Sequence, residues 1–193
     1  MLCQLVSRSR LLTITWVISI LVLFVLTLHF MGLRPWCSCG LKFITLDAWG
    51  SESSQNFIDP YTTSHFLHGI LFFAILTFLF SKLSIKCTLF LSMLFEIGWE
   101  LLENSPLIIE RYRSATASQG YAGDSILNST SDLLFMMLGL WIASKLPWKW
   151  TAVLVIGIEL LMLALFRDNL TLNILMLAYP LDAIKVWQMG HPF

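Results

Sequence analysis

The chain has 193 residues, of which 57% are hydrophobic and 12% charged. A soluble domain carries about 25% charged residues, so these charges are too few to coat a water-facing globule. The 12 basic residues balance the 12 acids, and a zero net charge gives no bulk attraction to nucleic acid.

The apolar residues fall in blocks, and a block of about 18 with few charges reads as a membrane-spanning helix. The first covers about 11–33. Arg8 and Arg10 precede it as in a signal sequence. The run is longer than the roughly 7–15 residues of a signal core, and no small-residue cleavage motif follows, so an uncleaved anchor is expected. A polar loop over 34–63 contains Pro35, Gly40, Gly50, Pro60 and a serine patch from Ser51 to Ser54. Trp36 and Trp49 in it suit a membrane interface. The second span is expected over about 64–81, with Lys82 and Lys86 in the short turn that follows. The third covers about 88–104 and stops before Pro106. A second polar loop runs over 105–124. The fourth span covers about 125–144, and Lys145, Pro147 and Lys149 follow it, with Trp148 and Trp150 as interface anchors. The fifth covers about 151–166 and ends at Arg167, Asp168 and Asn169. The stretch 170–187 starts apolar but is interrupted by Pro180, Asp182 and Lys185. It reads as a helix lying in the interface rather than as a sixth span. The expected fold is an all-α polytopic membrane helix bundle. It has five transmembrane helices and a C-terminal amphipathic interfacial helix, in a single membrane domain.

Orientation follows from the cations. With the N-terminus in the cytoplasm, the inner side carries Arg8, Arg10, Lys82, Lys86, Lys145 and Lys149, and the outer side Arg34, Lys42, Arg111, Arg113, Arg167 and Lys185. The two counts are equal. The inner cations sit close to helix ends and the first helix usually dominates, so a cytoplasmic N-terminus is expected.

Ionisable residues inside spans cost roughly 2.5–3.5 kcal/mol each on insertion scales, so they face protein or a water-filled cavity. The third span carries Glu96, Glu100 and Glu103, spaced four and then three apart and so on one helical face. The second begins with His65 and His68, and the fourth with Asp124, Asn128 and Asp132, each set on one face. At about 1.5 Å per residue, Glu100 and Asp132 lie at about 18 and 20 Å from the inner side of a core about 30 Å thick. Those two are level, while Glu103, Asn128 and His68 lie nearer the outer rim, so three spans bring imidazoles and carboxylates to the outer half of one bundle. Such a set can ligate a divalent metal, with His65, His68 and Glu100 as candidate ligands and an open position for water. It can equally share protons as a relay, or lock the helices together as a satisfied polar network. Arg111 and Arg113, in the loop above, are candidates for holding an anionic group, or else for pairing with Glu103, Glu110 or head groups. Glu159 lies mid-span and needs a partner, for which the same cluster is a candidate. His29 is expected at the interface. Cys37 and Cys39 form a single Cys-x-Cys pair, open to oxidation, metal binding or a structural role. Cys3 and Cys87 read as chemically inert. No Walker loop, His-Glu-x-x-His or Gly-x-Ser-x-Gly motif is present.

Several long segments carry a family resemblance. They are Trp36-Cys-Ser-Cys-Gly40, SESSQNFIDPYTTSHFLHG from Ser51 to Gly69, WELLENSPLIIERYRSATASQGYAGDSILNSTSDLLFMMLG from Trp99 to Gly139, and YPLDAIKVWQ from Tyr179 to Gln188. Together they resemble a family of uncharacterised bacterial multi-pass inner-membrane proteins, a domain of unknown function, which implies an inner-membrane location and brings no activity. A looser pattern is similar to VanZ-like proteins, which are linked to glycopeptide tolerance at the cell envelope. The matching positions are His65 or His68, Glu100 or Glu103, Arg111 or Arg113, Asp124 with Asn128, and Gly139. The Cys-x-Cys loop and the second histidine depart from that pattern.

The expected function is an outer-facing polar pocket that binds or processes a lipid-linked or anionic envelope substrate. Its partners are membrane lipids, and a divalent metal is the cofactor the donor set admits. In this picture His65, His68, Glu100 and Asp124 do the chemistry, while Arg111, Arg113, Glu103, Asn128 and Asp132 bind substrate. A structural or assembly role and a small proton-coupled transporter are the competing readings.

Overall fold

The computed structural model describes residues 9–190; Cys3 and Arg8 lie outside the described residues. Within them the chain forms eight helices and no strand. They are α1 (Arg10–Phe30), α2 (Thr62–Leu79), α3 (Ile85–Glu103), α4 (Pro106–Ala115), α5 (Ile126–Ala143), α6 (Trp148–Phe166), α7 (Leu170–Ala178) and α8 (Asp182–Met189). The five stretches expected to span the membrane are each helical, as α1, α2, α3, α5 and α6. Four of them, α1, α2, α5 and α6, are long and apolar enough to cross a membrane. At 19 residues α3 has the length, but its carboxylates lower its apolarity.

Two expectations need correction. Residues 105–124 were expected to be loop, yet α4 occupies much of the stretch. Pro106 ends α3 and also starts α4, because a proline at the first helical position lacks only an N–H that would be unbonded there anyway. Residues 170–187 were expected to form one helix and form two. Pro180 has no N–H to continue the ladder and forces Tyr179 out of helical geometry, to φ −140° and ψ 86°.

The core is the trio α2, α3 and α5. Helices α2 and α5 pack most closely on each other, and α3 packs on both. Two glycines set the α2–α5 approach. A Cβ on Gly69 would collide with the Met136 carbonyl, and one on Gly139 with the Phe66 carbonyl. Small residues at such crossings let membrane helices come into backbone contact. On one side α1 adds Phe24 and Leu28 to a cluster with Met93, Leu133 and Met136. On the other, α6 packs Leu154, Val155 and Ile158 near Leu67 and Ile70. The outward faces of α1 and α6 are lined with exposed large apolar residues, among them Ile18, Leu23, Val153, Ile156 and Leu160. Apolar surface on that scale belongs against lipid rather than water.

The first loop is a folded plug. Asp59 accepts from the Thr62 N–H at 2.9 Å and so caps the start of α2. The first N–H groups of α5 are satisfied by this segment too, with Ile126 donating to the Arg34 carbonyl and Leu127 to that of Pro35. Cys37 and Cys39 in the same loop are joined by a disulfide.

Candidate functional site

The acidic stripe of α3 faces α2 and α5, where Glu96 and Glu100 are wholly buried and Glu103 nearly so. Glu96 is the hub. Its Oε1 lies 2.6 Å from His65 Nδ1, and its Oε2 lies 3.0 Å from His68 Nδ1. A carboxylate only accepts, so each imidazole presents Nδ1–H to Glu96, and in its neutral form the ring has its lone pair on Nε2. His65 Nδ1 also lies 3.3 Å from Glu100 Oε1, and His65 Nε2 lies 3.9 Å from Asp132 Oδ2. The first of these is a close contact without a hydrogen bond, because the N–H is aimed at Glu96. Both oxygens of Glu100, Oδ1 of Asp132 and Oε2 of Glu103 are therefore buried without a hydrogen-bond partner.

Asp124 is in the opposite condition. Its Oδ1 accepts from the Tyr121 hydroxyl and its Oδ2 from Asn104 Nδ2, both at 2.8 Å. Its own N–H donates to Asn104 Oδ1 at 2.6 Å. Burial raises its pKa above the usual carboxylate range, and the bonds from Tyr121 and Asn104 oppose that rise. Asp124, expected to do chemistry, pins the end of α3 to the start of α5 through these bonds. Asn128, expected to bind substrate, donates to the Asn56 carbonyl at 2.9 Å and ties α5 to the plug.

The two arginines are also engaged elsewhere. Arg111 Nε donates to the Leu177 carbonyl at 2.8 Å, and Arg113 Nε donates to that of Tyr121. Glu159 does not join the cluster. It accepts from the N–H groups of Leu170 and Thr171 at 3.0 and 3.1 Å, at the start of α7. His29 lies near the end of α1, exposed.

A cavity of about 290 Å³ opens beside the cluster, between α2, α3, α4 and α7. Its lining includes the polar side chains of His65, His68, Glu103 and Tyr112 and the apolar ones of Phe72 and Ile174. The Tyr112 hydroxyl lies 2.9 Å from Glu103 Oε1 and 2.9 Å from Asn173 Oδ1, linking α3, α4 and α7.

Residues 28–190 match a family described as proteins of unknown function, DUF2585. The chain belongs to this family. A UPF0314 protein of Rhizobium etli (strain CIAT 652) is 45% identical over 176 residues, covering 90% of this chain and 89% of the relative. One of Agrobacterium fabrum is 44% identical over 190 residues, covering 96% and 95%. A third, of Paracoccus denitrificans, is 46% identical over 170 residues, covering 88% of each chain. No solved structure matches this chain. The family expected from the quoted motifs is thus the one found. None of the relatives' names bears on the likeness to VanZ-like proteins, which rests on the quoted residues alone.

Every residue of the cluster falls inside the span matched to DUF2585. Of the expected site residues, the structure brings together His65, His68, Glu100, Glu103 and Asp132. Sequence reasoning placed Glu96 on the right face and gave it no task, though its spacing to His65 and His68 across a short turn was the available signal. Asn104, Tyr112 and Tyr121 were missed, because no periodicity marks a residue at a helix end, on an unexpected helix or in a loop.

Proposed function

We propose that this protein is a multi-pass inner-membrane protein with five crossings and a cytoplasmic N-terminus. It binds, and acts on, an envelope substrate that has an apolar tail and a polar head. The observation that carries this reading is the cavity, lined by imidazole, carboxylate and phenol groups together with aliphatic and aromatic side chains. Ligand sites have this make-up, mostly apolar with a few convergent polar groups. On the outer half of a membrane, the ligand that matches both parts is a lipid or lipid-linked head group. His68, oriented by Glu96 and lining the cavity, is placed to exchange a proton with that head, as are Glu103 and Tyr112 in the same lining.

Topology supports five crossings. The plug touches the first turns of both α2 and α5, so the chain must return to that level between them. Helix α3, at 19 residues and about 1.5 Å each, is long enough to do so. A purely structural role fits less well. A network built only to hold helices would satisfy its own members, whereas Glu100 and Asp132 keep buried oxygens without donors.

The test is lipid retention. Protein purified in mild detergent is extracted and its lipids identified by mass spectrometry, with Ser64→Trp as a plug in the cavity wall. Wild type is expected to retain one lipid or lipid-linked species well above its share of the membrane, and the folded variant to lose it. Identical profiles, both matching the bulk membrane, would overturn the reading.

A further inference from the structure

The cluster holds two sets of possible metal donors that share His65. One is His65, His68 and Glu96; the other is His65, Glu100 and Asp132. In each set, one ligand atom per residue lies within 4.8 Å of the others. The sets differ in how far they are already satisfied. Glu96 accepts from both imidazoles, at 2.6 and 3.0 Å. Glu100 is 0% exposed and Asp132 2%, yet three of their four carboxylate oxygens have no hydrogen-bond partner. A buried carboxylate without a donor is strongly unfavourable unless a cation completes it. Protonation would remove the charge but leave hydroxyls needing acceptors of their own.

We propose that His65 Nε2, Glu100 and Asp132 form a site for one divalent transition-metal ion, with Glu96 as its positioning residue. The site deepens the cavity reading, and depends on it for what the ion does rather than for where it binds. One imidazole nitrogen and two carboxylates suit zinc or manganese. Glu96 on Nδ1 fixes the tautomer and the ring, as outer carboxylates do for metal-binding histidines. Three protein ligands leave a coordination position for water or substrate, next to a cavity that His65 also lines. Among the described residues no lysine or arginine lines that cavity, so the open coordination position on the ion is what would take an anionic head-group oxygen. The ligand set expected from sequence was His65, His68 and Glu100. The geometry exchanges His68 for Asp132 and leaves His68 to the cavity.

The experiment uses the full chain in detergent, stripped with chelator and titrated with Zn²⁺ or Mn²⁺ alone. Metal content by mass spectrometry and metal-dependent thermal stability are both read. Wild type is expected to bind about one ion per chain and to be stabilised by it. Asp132→Asn and Glu100→Gln should weaken binding at least tenfold, Glu96→Gln should weaken it about 10–100-fold, and His68→Ala should retain it. Wild type that binds neither ion overturns the site without any variant having to fold, as does a folded Asp132→Asn that binds normally. Lipid retention is measured on the same wild-type protein, so loss of the metal site and loss of the cavity reading are separate results.

Discussion

Glu96 and Asp124 are buried carboxylates whose oxygens accept from named donors, two imidazoles for the one and Asn104 with Tyr121 for the other. Glu100 and Asp132 are as deeply buried and lack such donors. On the proposed metal site, this difference separates the carboxylates that hold the fold from the two that take the ion. Asp168, at the corner between α6 and α7, belongs with the first kind but incompletely. It accepts from the Asn169 N–H at 3.0 Å, Gln188 Nε2 at 3.1 Å and the Tyr61 hydroxyl at 3.2 Å. Burial nevertheless outweighs these bonds and lifts its pKa to about 7. A carboxyl whose pKa is higher folded than unfolded holds its proton more tightly in the folded state. Its stabilising contribution is therefore complete below about pH 4 and lost as pH rises through about 7. The melting temperature should fall over that window, and Asp168→Asn should flatten the fall while leaving the rest of the profile in place. Thermal unfolding in detergent at stepped pH checks this. A wild type and variant whose curves run parallel from about pH 4 to 8 would show that Asp168 does not titrate there.

At the scale of elements, α7 shows how the cavity is walled. It has nine residues, and isolated helices shorter than about 12–15 residues are marginal, so it depends on its anchors. The Glu159 carboxylate meets the N–H groups at its start and the Arg111 guanidinium meets the carbonyl of Leu177 near its end. Each charge complements the dipole at the terminus it touches. Asn173, Ile174 and Leu177 then face the cavity. Glu159 and Arg111, both singled out from sequence for the polar cluster, thus serve it from outside, by holding the segment that covers it. Loss of a charge-assisted hydrogen bond costs about 1.5–3 kcal/mol. Arg111→Ala and Glu159→Gln should each speed amide exchange across 170–178 by about tenfold or more, with α2, α3 and α5 unchanged. Hydrogen–deuterium exchange read by mass spectrometry measures both regions at once. Unchanged protection in α7 would mean that its apolar face alone holds it down.

For the whole molecule, the spans were legible because apolar blocks end at lysines, tryptophans and prolines, which are local signals. The level meeting of Glu100 and Asp132 was legible because the helical rise fixes depth; that His65 reaches them was not. What was not legible depends on contacts between distant segments: Asn104 on Asp124, the plug against α5, and Arg111 on α7. Helix α4 was hidden because Pro106 served as the end of one helix when it marked two boundaries. The topology turns on α3, whose acids keep it below the apolarity of the four helices long and apolar enough to cross. Its crossing is forced if α2 and α5 both start at the plug, and it decides on which side the cluster sits. A reporter active only in the periplasm, fused after Gln119, should be active. One fluorescent only in the cytoplasm should light up when fused after Lys82 or Lys145. A cytoplasmic Gln119 with a cytoplasmic Lys82 would mean that α3 does not cross. A periplasmic Lys82 and Lys145 with a cytoplasmic Gln119 would invert the protein and open the cluster to the cytoplasmic side. Only the expected pattern leaves His65, His68 and Glu103 within reach of a substrate in the outer leaflet.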